Sequence, residues 1–582
     1  MIPPSANEHN GALSIIDCGL TAVAFLLSYG WPWLGSKLFA RVESVLGRFA
    51  RRKKLAVVSV GVGALLLRIA ILPVFPIPLP FLPDDFSYLL AADTFAHGRL
   101  ANPTPAMWTH FESIQVSMQP TYMSMYFPGL GLLLAAGKVL FGHPWYGILI
   151  STALLCATIC WMLQAWLPPG WALLGGVLAI LRLGLFSTWV AMYSGGAPLL
   201  ALAGALVLGS LPRLKKTAKF RYGLWMGVGF VILVLTRPWE GMLLGLPVAL
   251  VLGHWAFLGK NRPRGFELLK LASGPLAMTI GALAWLGYYD YRAFGSPLTL
   301  PYTINRATYA TAPYFIWQSP RPEPVYRHAE MRGFYEWESK DVPKVHSPAS
   351  FVSDNIQKAW FVLQFFAAYT LLPPLIMLPR LFLDRRIRFL ILSVLVLMAG
   401  ALMMVYLLTH YVAPFAAAFY AIGLQAMRHL RVWTPEGRPV GRAMVRLTVV
   451  LCIVLAGVRL LSGPLNLTVS EWPFNQSCLM WYGPDHWGQE RAHIEMTLQH
   501  LPAKQLGIVR YARKREPLNQ WVYNSADIDA SKVVWAGEVD PVSDRELLNY
   551  YRDRQVWLIE PDETPARVSP YPIPQGLTAS KR

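Results

Sequence analysis

The chain has 582 residues, 54% hydrophobic and only 15% charged, against about 25% charged in an ordinary soluble domain. Its net charge of +19 falls in short runs between long apolar stretches, such as Arg48–Lys54, Arg213–Arg221, Lys260–Arg264, Arg380–Arg388 and Arg428–Arg446. This excludes a soluble globular enzyme. With no nucleic-acid-binding signature, it also makes the basic residues markers of membrane orientation and leaves nucleic acid out as a partner.

Residues 1–12 carry no basic leader, and the apolar stretch 13–34 has no clear small-residue cleavage site, so it reads as a retained helix. The basic loop 35–54 then belongs on the cytoplasmic side. Segment 55–77 leaves the cytoplasm through a proline-rich exit (Pro73, Pro76, Pro78, Pro80, Pro83) into the acidic pair Asp84-Asp85. Tyr88, Ala91, Ala92 and Phe95 recur at i, i+3, i+4 and i+7, and Gly98 offers a stop. This predicts a short amphipathic helix over 86–97, lying along the membrane surface within an extracytoplasmic loop 78–126.

Four apolar segments follow, at 127–141, 145–167, 171–189 and 195–211, although the charges on either side require an odd number of crossings. Either 127–141 or 171–189, which carries Arg182, is therefore expected to be broken, re-entrant or interfacial. Segments 223–237, 241–258, 269–289, 358–379, 389–408, 411–427 and 447–463 complete about twelve crossings of roughly 20 residues each. They enclose a second extracytoplasmic loop at 290–357. From 464 the chain turns polar. Strand-like runs at Gly507–Ala512, Lys532–Glu538 and Gln555–Glu560 and helical patterns at His486–Leu501 and Asp544–Tyr551 predict a small α/β domain.

The expected organisation is an α-helical polytopic membrane protein in three parts. Residues 1–54 are an added helix and basic loop, 55–463 a transmembrane catalytic domain, and 464–582 an extracytoplasmic α/β domain. Cys18, Cys156, Cys160 and Cys452 lie in apolar segments and Cys478 in a polar one, which is no disulfide framework. No cluster has metal-ligand spacing, so neither a metal nor another cofactor is expected. Asn466-Leu467-Thr468 and Asn475-Gln476-Ser477 match glycosylation sequons.

The acidic pair is the strongest candidate for chemistry. A carboxylate at the lipid–water boundary suits proton abstraction, and Asp is equally a favoured helix N-cap. Asp84-Asp85-Phe86-Ser87-Tyr88-Leu89-Leu90-Ala91, Tyr126-Phe127-Pro128-Gly129 and Gly142-His143-Pro144-Trp145 resemble the GT-C superfamily of membrane glycosyltransferases. Within it they are nearest to protein O-mannosyltransferases and the lipid A aminoarabinose transferase. Many relatives carry Asp-Glu where this chain has Asp84-Asp85. The resemblance covers about residues 55–463 and implies transfer of a sugar from a polyprenyl-phosphate donor to a glycan, lipid or protein acceptor. The reaction would take place on the extracytoplasmic face of a membrane, the inner membrane of a bacterium being the expected setting. It assigns the base to Asp84 or Asp85, Asp84 matching the first member of the family pair.

A lipid-phosphate leaving group needs cationic or N–H donors. Arg237, Trp239 and Glu240 at one predicted turn, and His410 and Tyr411 at another, are candidates. Tyr193 at the same predicted depth and Arg292 in the second loop join them. The plainer readings are a paired Arg237–Glu240 turn with an interfacial tryptophan, and solvated loop charges. Two other functions fit the composition: a glycan ligase or polymerase leaning on loop 290–357, and a transporter or flippase of a lipid-linked substrate. The sequence lacks the internal repeat that a transporter commonly shows.

Overall fold

The computed structural model describes residues 11–572, apart from 260–261, 264, 343–346, 463, 466, 468–487 and 514. Cys478, Asn466, Thr468 and the whole of the second sequon lie outside the described residues. The chain forms two compact units, each drawn from three stretches: Met1–Pro78, Ile148–Leu283 and Phe351–Asp485 in the first, and Leu79–Gly147, Ala284–Ser350 and His486–Arg582 in the second.

Five described helices are long and apolar enough to cross a membrane: Trp145–Trp166, Ala197–Thr217, Pro238–Leu258, Phe266–Phe294 and Val440–Leu460. Shorter apolar helices include Pro128–Phe141, Pro169–Gly184, Phe220–Thr236 and Arg388–Leu402. In the first unit, small residues let backbones meet. A Cβ on Gly204 would stand 1.7 Å from the carbonyl oxygen of Pro414, so only glycine lets the Ala197–Thr217 helix lie against the turn Thr409–Phe415.

The segment 171–189 breaks. Its helix ends at Ala179, passes through a π-turn at Ile180–Gly184, and resumes as the single turn Thr188–Ala191. Arg182 lies in that turn, buried, and donates to the carbonyl oxygen of Phe365 at 3.2 Å. A cation at membrane depth is costly unless its donors meet acceptors, and the widened turn is where this one does. Arg68 is satisfied in the same way by the carbonyl oxygens of Phe75 and Pro76. The loop 35–54 is a helix over most of its length, Ser36–Arg51, which its basic character hides.

The second unit contains a two-stranded antiparallel hairpin, β1 (Val116–Ser117) and β2 (Met123–Ser124). It also holds a four-stranded sheet of β3 (Lys504–Val509), β4 (Val533–Gly537), β5 (Arg554–Glu560) and β6 (Arg567–Pro570). The sheet order is β4-β3-β5-β6, parallel except for the last pair. Helices Gln489–His500 and Pro541–Tyr550 accompany the strands.

Val509, Val533, Trp535 and Ile559 pack with Leu498 and Trp521 in one cluster. In another, Leu506, Ile508, Val534 and Ala536 pack with Phe86, Leu90, Phe111 and Met118. The helix Pro83–Ala96 and the C-terminal sheet therefore share one hydrophobic core. Phe86 stacks on Tyr523 at 4.3 Å between ring centroids, and Asp93 accepts a 2.8 Å hydrogen bond from the amide of Ala526.

Candidate active site

The proline-rich exit ends by starting a helix. Pro83 stands at its first position, where an N–H would have no partner and the fixed φ is already helical. Two residues on, Asp85 turns back, and the amides of Phe81 and Leu82 each donate to its Oδ2 at 3.4 Å. This is the reaching-back half of a capping box, and Asp85 is only 1% exposed. Asp84 is half-buried, and its Oδ1 accepts a hydrogen bond from the hydroxyl of Tyr126. Chain geometry thus separates two neighbouring carboxylates: one is spent on helix capping, the other is held by a tyrosine. Both sit in the first turn, where the helix dipole favours negative charge.

Tyr126 is placed by the hairpin. Ser87 Oγ donates to the carbonyl oxygen of Gln115 at 2.6 Å and lies 2.8 Å from Ser124 Oγ. Ser124 Oγ in turn accepts from the amide of Tyr126 at 3.2 Å. The Tyr126 ring stacks on Tyr88 at 4.3 Å and meets Tyr302 edge-on at 5.4 Å. Tyr302 meets Tyr314 edge-on at 5.5 Å, and Arg306 covers Tyr314 at 4.5 Å while pairing with Glu338 at 2.7 Å. A run of aromatic rings therefore leads away from the Asp84 carboxylate. Tyr126 was visible to the sequence only as the first residue of Tyr-Phe-Pro-Gly, and Tyr302 and Tyr314 carry no motif at all. A period-based reading has no means of bringing residues 126 and 302 together.

Arg292 does not join this group. It is exposed and donates to the Tyr288 hydroxyl, one turn back, at 3.0 Å. Other charges of the second loop are structural. Arg327 Nη1 and the Tyr309 hydroxyl donate to the buried carboxylate of Glu112 at 3.2 and 2.9 Å, and the buried His328 lies between Glu112 and Glu330.

The first unit gathers most of the remaining candidates. Arg237 ends one helix as Pro238 starts the next, and its Nη1 donates to Glu240 Oε1 at 2.7 Å. Its guanidinium lies 4.2 Å over the ring of Tyr411, which packs edge-on against His410 at 4.6 Å. Trp239 is half-buried one residue from Arg237 in the opening turn of the same helix. Burial, reinforced by the Arg237 charge, holds His410 well below the ordinary imidazole range. It stands as a neutral ring at pH 7, able to donate one N–H.

Behind His410 runs the left-handed backbone of Gly195 (φ +72°), where a Cβ would lie 2.7 Å from the ring. The neighbouring Tyr193 is buried and donates from its hydroxyl to the carbonyl oxygen of Pro78 at 2.8 Å. Gly195→Ala is expected to cost about 1–2 kcal/mol from the backbone conformation alone. It should also displace His410, lowering the apparent melting temperature in a detergent-solubilised thermal scan.

No protein-family model and no curated protein sequence matches the chain. Solved structures do. ArnT from Cupriavidus metallidurans in the apo state aligns at 11% identity over 86% of this chain and 92% of its own, with a TM-score of 0.50. The same protein bound to undecaprenyl phosphate aligns at 12% identity over 87% and 92%, TM-score 0.47. An Archaeoglobus fulgidus oligosaccharyltransferase complexed with zinc and sulfate aligns at 12% identity over 86% and 68%, TM-score 0.46. At such identities the likeness concerns the fold alone, and the ArnT apo alignment, spanning most of both chains, carries it. The architecture of this chain is similar to that of ArnT from Cupriavidus metallidurans.

Proposed function

We propose that the chain is a lipid-carrier-dependent glycosyltransferase. It moves a hexose or pentose from a polyprenyl-phosphate donor to an acceptor hydroxyl on the extracytoplasmic face of a bacterial inner membrane, which it crosses about twelve times. The observation that carries this reading is the division of labour in the acidic pair: Asp85 caps its helix, whereas Asp84, half-buried, is oriented by the Tyr126 hydroxyl. Asp84 takes the acceptor proton as the acceptor oxygen bonds to the anomeric carbon. The anomeric C–O bond to the carrier phosphate breaks, and the polyprenyl phosphate leaves with the electron pair. Arg237 and the neutral His410, with Tyr411, are the groups proposed to stabilise the charge on that phosphate. The likeness in fold to ArnT, which has been solved bound to undecaprenyl phosphate, supports the donor class.

The direct test is a transfer assay on the purified full-length protein in lipid. A panel of polyprenyl-phosphate sugars is supplied as donors, and the release of polyprenyl phosphate is followed chromatographically. Release that depends on one donor sugar and on an added acceptor is the expected result. Transfer only from a pyrophosphate-linked donor would move the protein to the ligase class, and uptake or flipping without cleavage would overturn the reading.

A further inference from the structure

We propose that the helix Ser36–Arg51 is an in-plane docking element for anionic phospholipid, built independently of any catalytic role. At 16 residues with regularly spaced charges, it is too short and too polar to span a bilayer. Leu38, Val42 and Val45 recur at i, i+4 and i+7 and are all exposed. Lys37, Arg41 and Arg48, at i, i+4 and i+11, line the flank beside them and are also exposed. None of these three cations makes an ion pair among the described residues. An apolar stripe edged by unneutralised cations is the composition of a helix lying at the headgroup level: the stripe enters the acyl boundary and the long side chains reach the phosphates.

The rotation of the helix is fixed. Its third face carries Glu43, which takes Arg431 at 2.8 Å and Arg446 at 2.9 Å, and Ala50, which is fully buried. The two arginines hold the Glu43 carboxylate down to a pKa of about 2, outweighing its partial burial, which alone raises it. The one acidic residue of the helix is thus turned inward and compensated, so its outward face carries no negative charge. That charge pattern selects an anionic leaflet over a zwitterionic one, and among the described residues the stripe stays exposed.

The test is native mass spectrometry of the full-length protein equilibrated in detergent with equimolar phosphatidylglycerol and phosphatidylcholine. The wild type should retain phosphatidylglycerol preferentially. The triple variant Lys37→Gln/Arg41→Gln/Arg48→Gln should lower that preference on the order of ten-fold, and raising the salt concentration should have the same direction of effect. The double variant Arg41→Lys/Arg48→Lys should keep it. A second triple variant, Lys215→Gln/Lys216→Gln/Arg221→Gln, removes the same charge from another exposed basic run and should leave it nearly intact. Equal retention of the two lipids by the wild type, an unchanged preference in the first triple variant, or the same loss in both triple variants would each overturn the proposal.

Discussion

Replacing Asp84 by Asn is expected to slow sugar transfer by about 10²–10⁴-fold, the range of a removed general base, with little change in thermal stability. Asn keeps the size of the side chain and an oxygen for the Tyr126 hydroxyl, but it cannot take a proton from the acceptor. Asp85→Ala should behave in the opposite way. It leaves the amides of Phe81 and Leu82 without the carboxylate that accepts from them, at a cost of about 1 kcal/mol, and the protein that remains folded should still transfer sugar. Tyr126→Phe removes the hydroxyl that orients Asp84 and should reduce the rate less than Asp84→Asn. Initial rates and apparent melting temperatures, measured on all three variants, separate chemistry from folding. Full activity in Asp84→Asn would remove the base from this position.

The second large effect is expected at Arg237 and Glu240, a pair with little exposure on either side chain. Breaking a buried pair by deleting one partner costs about 3–5 kcal/mol. Arg237→Ala and Glu240→Ala should each lower the apparent melting temperature sharply. The double variant should be less affected than the sum of the two. Arg237→Lys keeps the charge but loses the planar fork that serves Glu240 and lies over Tyr411. If this group binds the carrier phosphate, the lysine variant should raise KM for the donor more than it lowers kcat. A change in stability with donor KM untouched would leave the pair a purely structural clamp.

The helices were legible wherever one rule decides them. Long apolar runs gave helices, five of them long and apolar enough to span among the described residues, the proline-rich exit and the i, i+3, i+4 stripe gave the helix at Pro83–Ala96, and β-branched runs gave β3, β4 and β5 to within a few residues. Charge parity alone required a fault between residues 127 and 211, and the π-turn at Ile180–Gly184 supplies a break there. Long-range contacts were not legible. Nothing in Tyr302 marks it as a neighbour of Tyr126, and nothing in Glu43 marks it as the partner of two arginines some 390 residues later. The two aspartates were equivalent as letters. Only the backbone direction at Leu82–Pro83 tells which carboxylate reaches back to the amides and which meets the tyrosine.

The core shared by the Pro83–Ala96 helix and the C-terminal sheet bears on how the protein is made. A chain emerges from the ribosome from its N-terminus onward, at about 5–20 residues per second. Phe86 and Leu90 are thus synthesised long before Leu506, Ile508 and Tyr523, the residues that bury them. The helix bearing the acidic pair must wait, its apolar side uncovered, until the strands of the C-terminal sheet have been translated. Closing contacts across more than 400 residues of sequence is slow, and the waiting surface is open to wrong partners. Assembly of this core is therefore tied to synthesis of the C-terminal sheet, and a chain truncated before that sheet is expected to leave the helix uncovered.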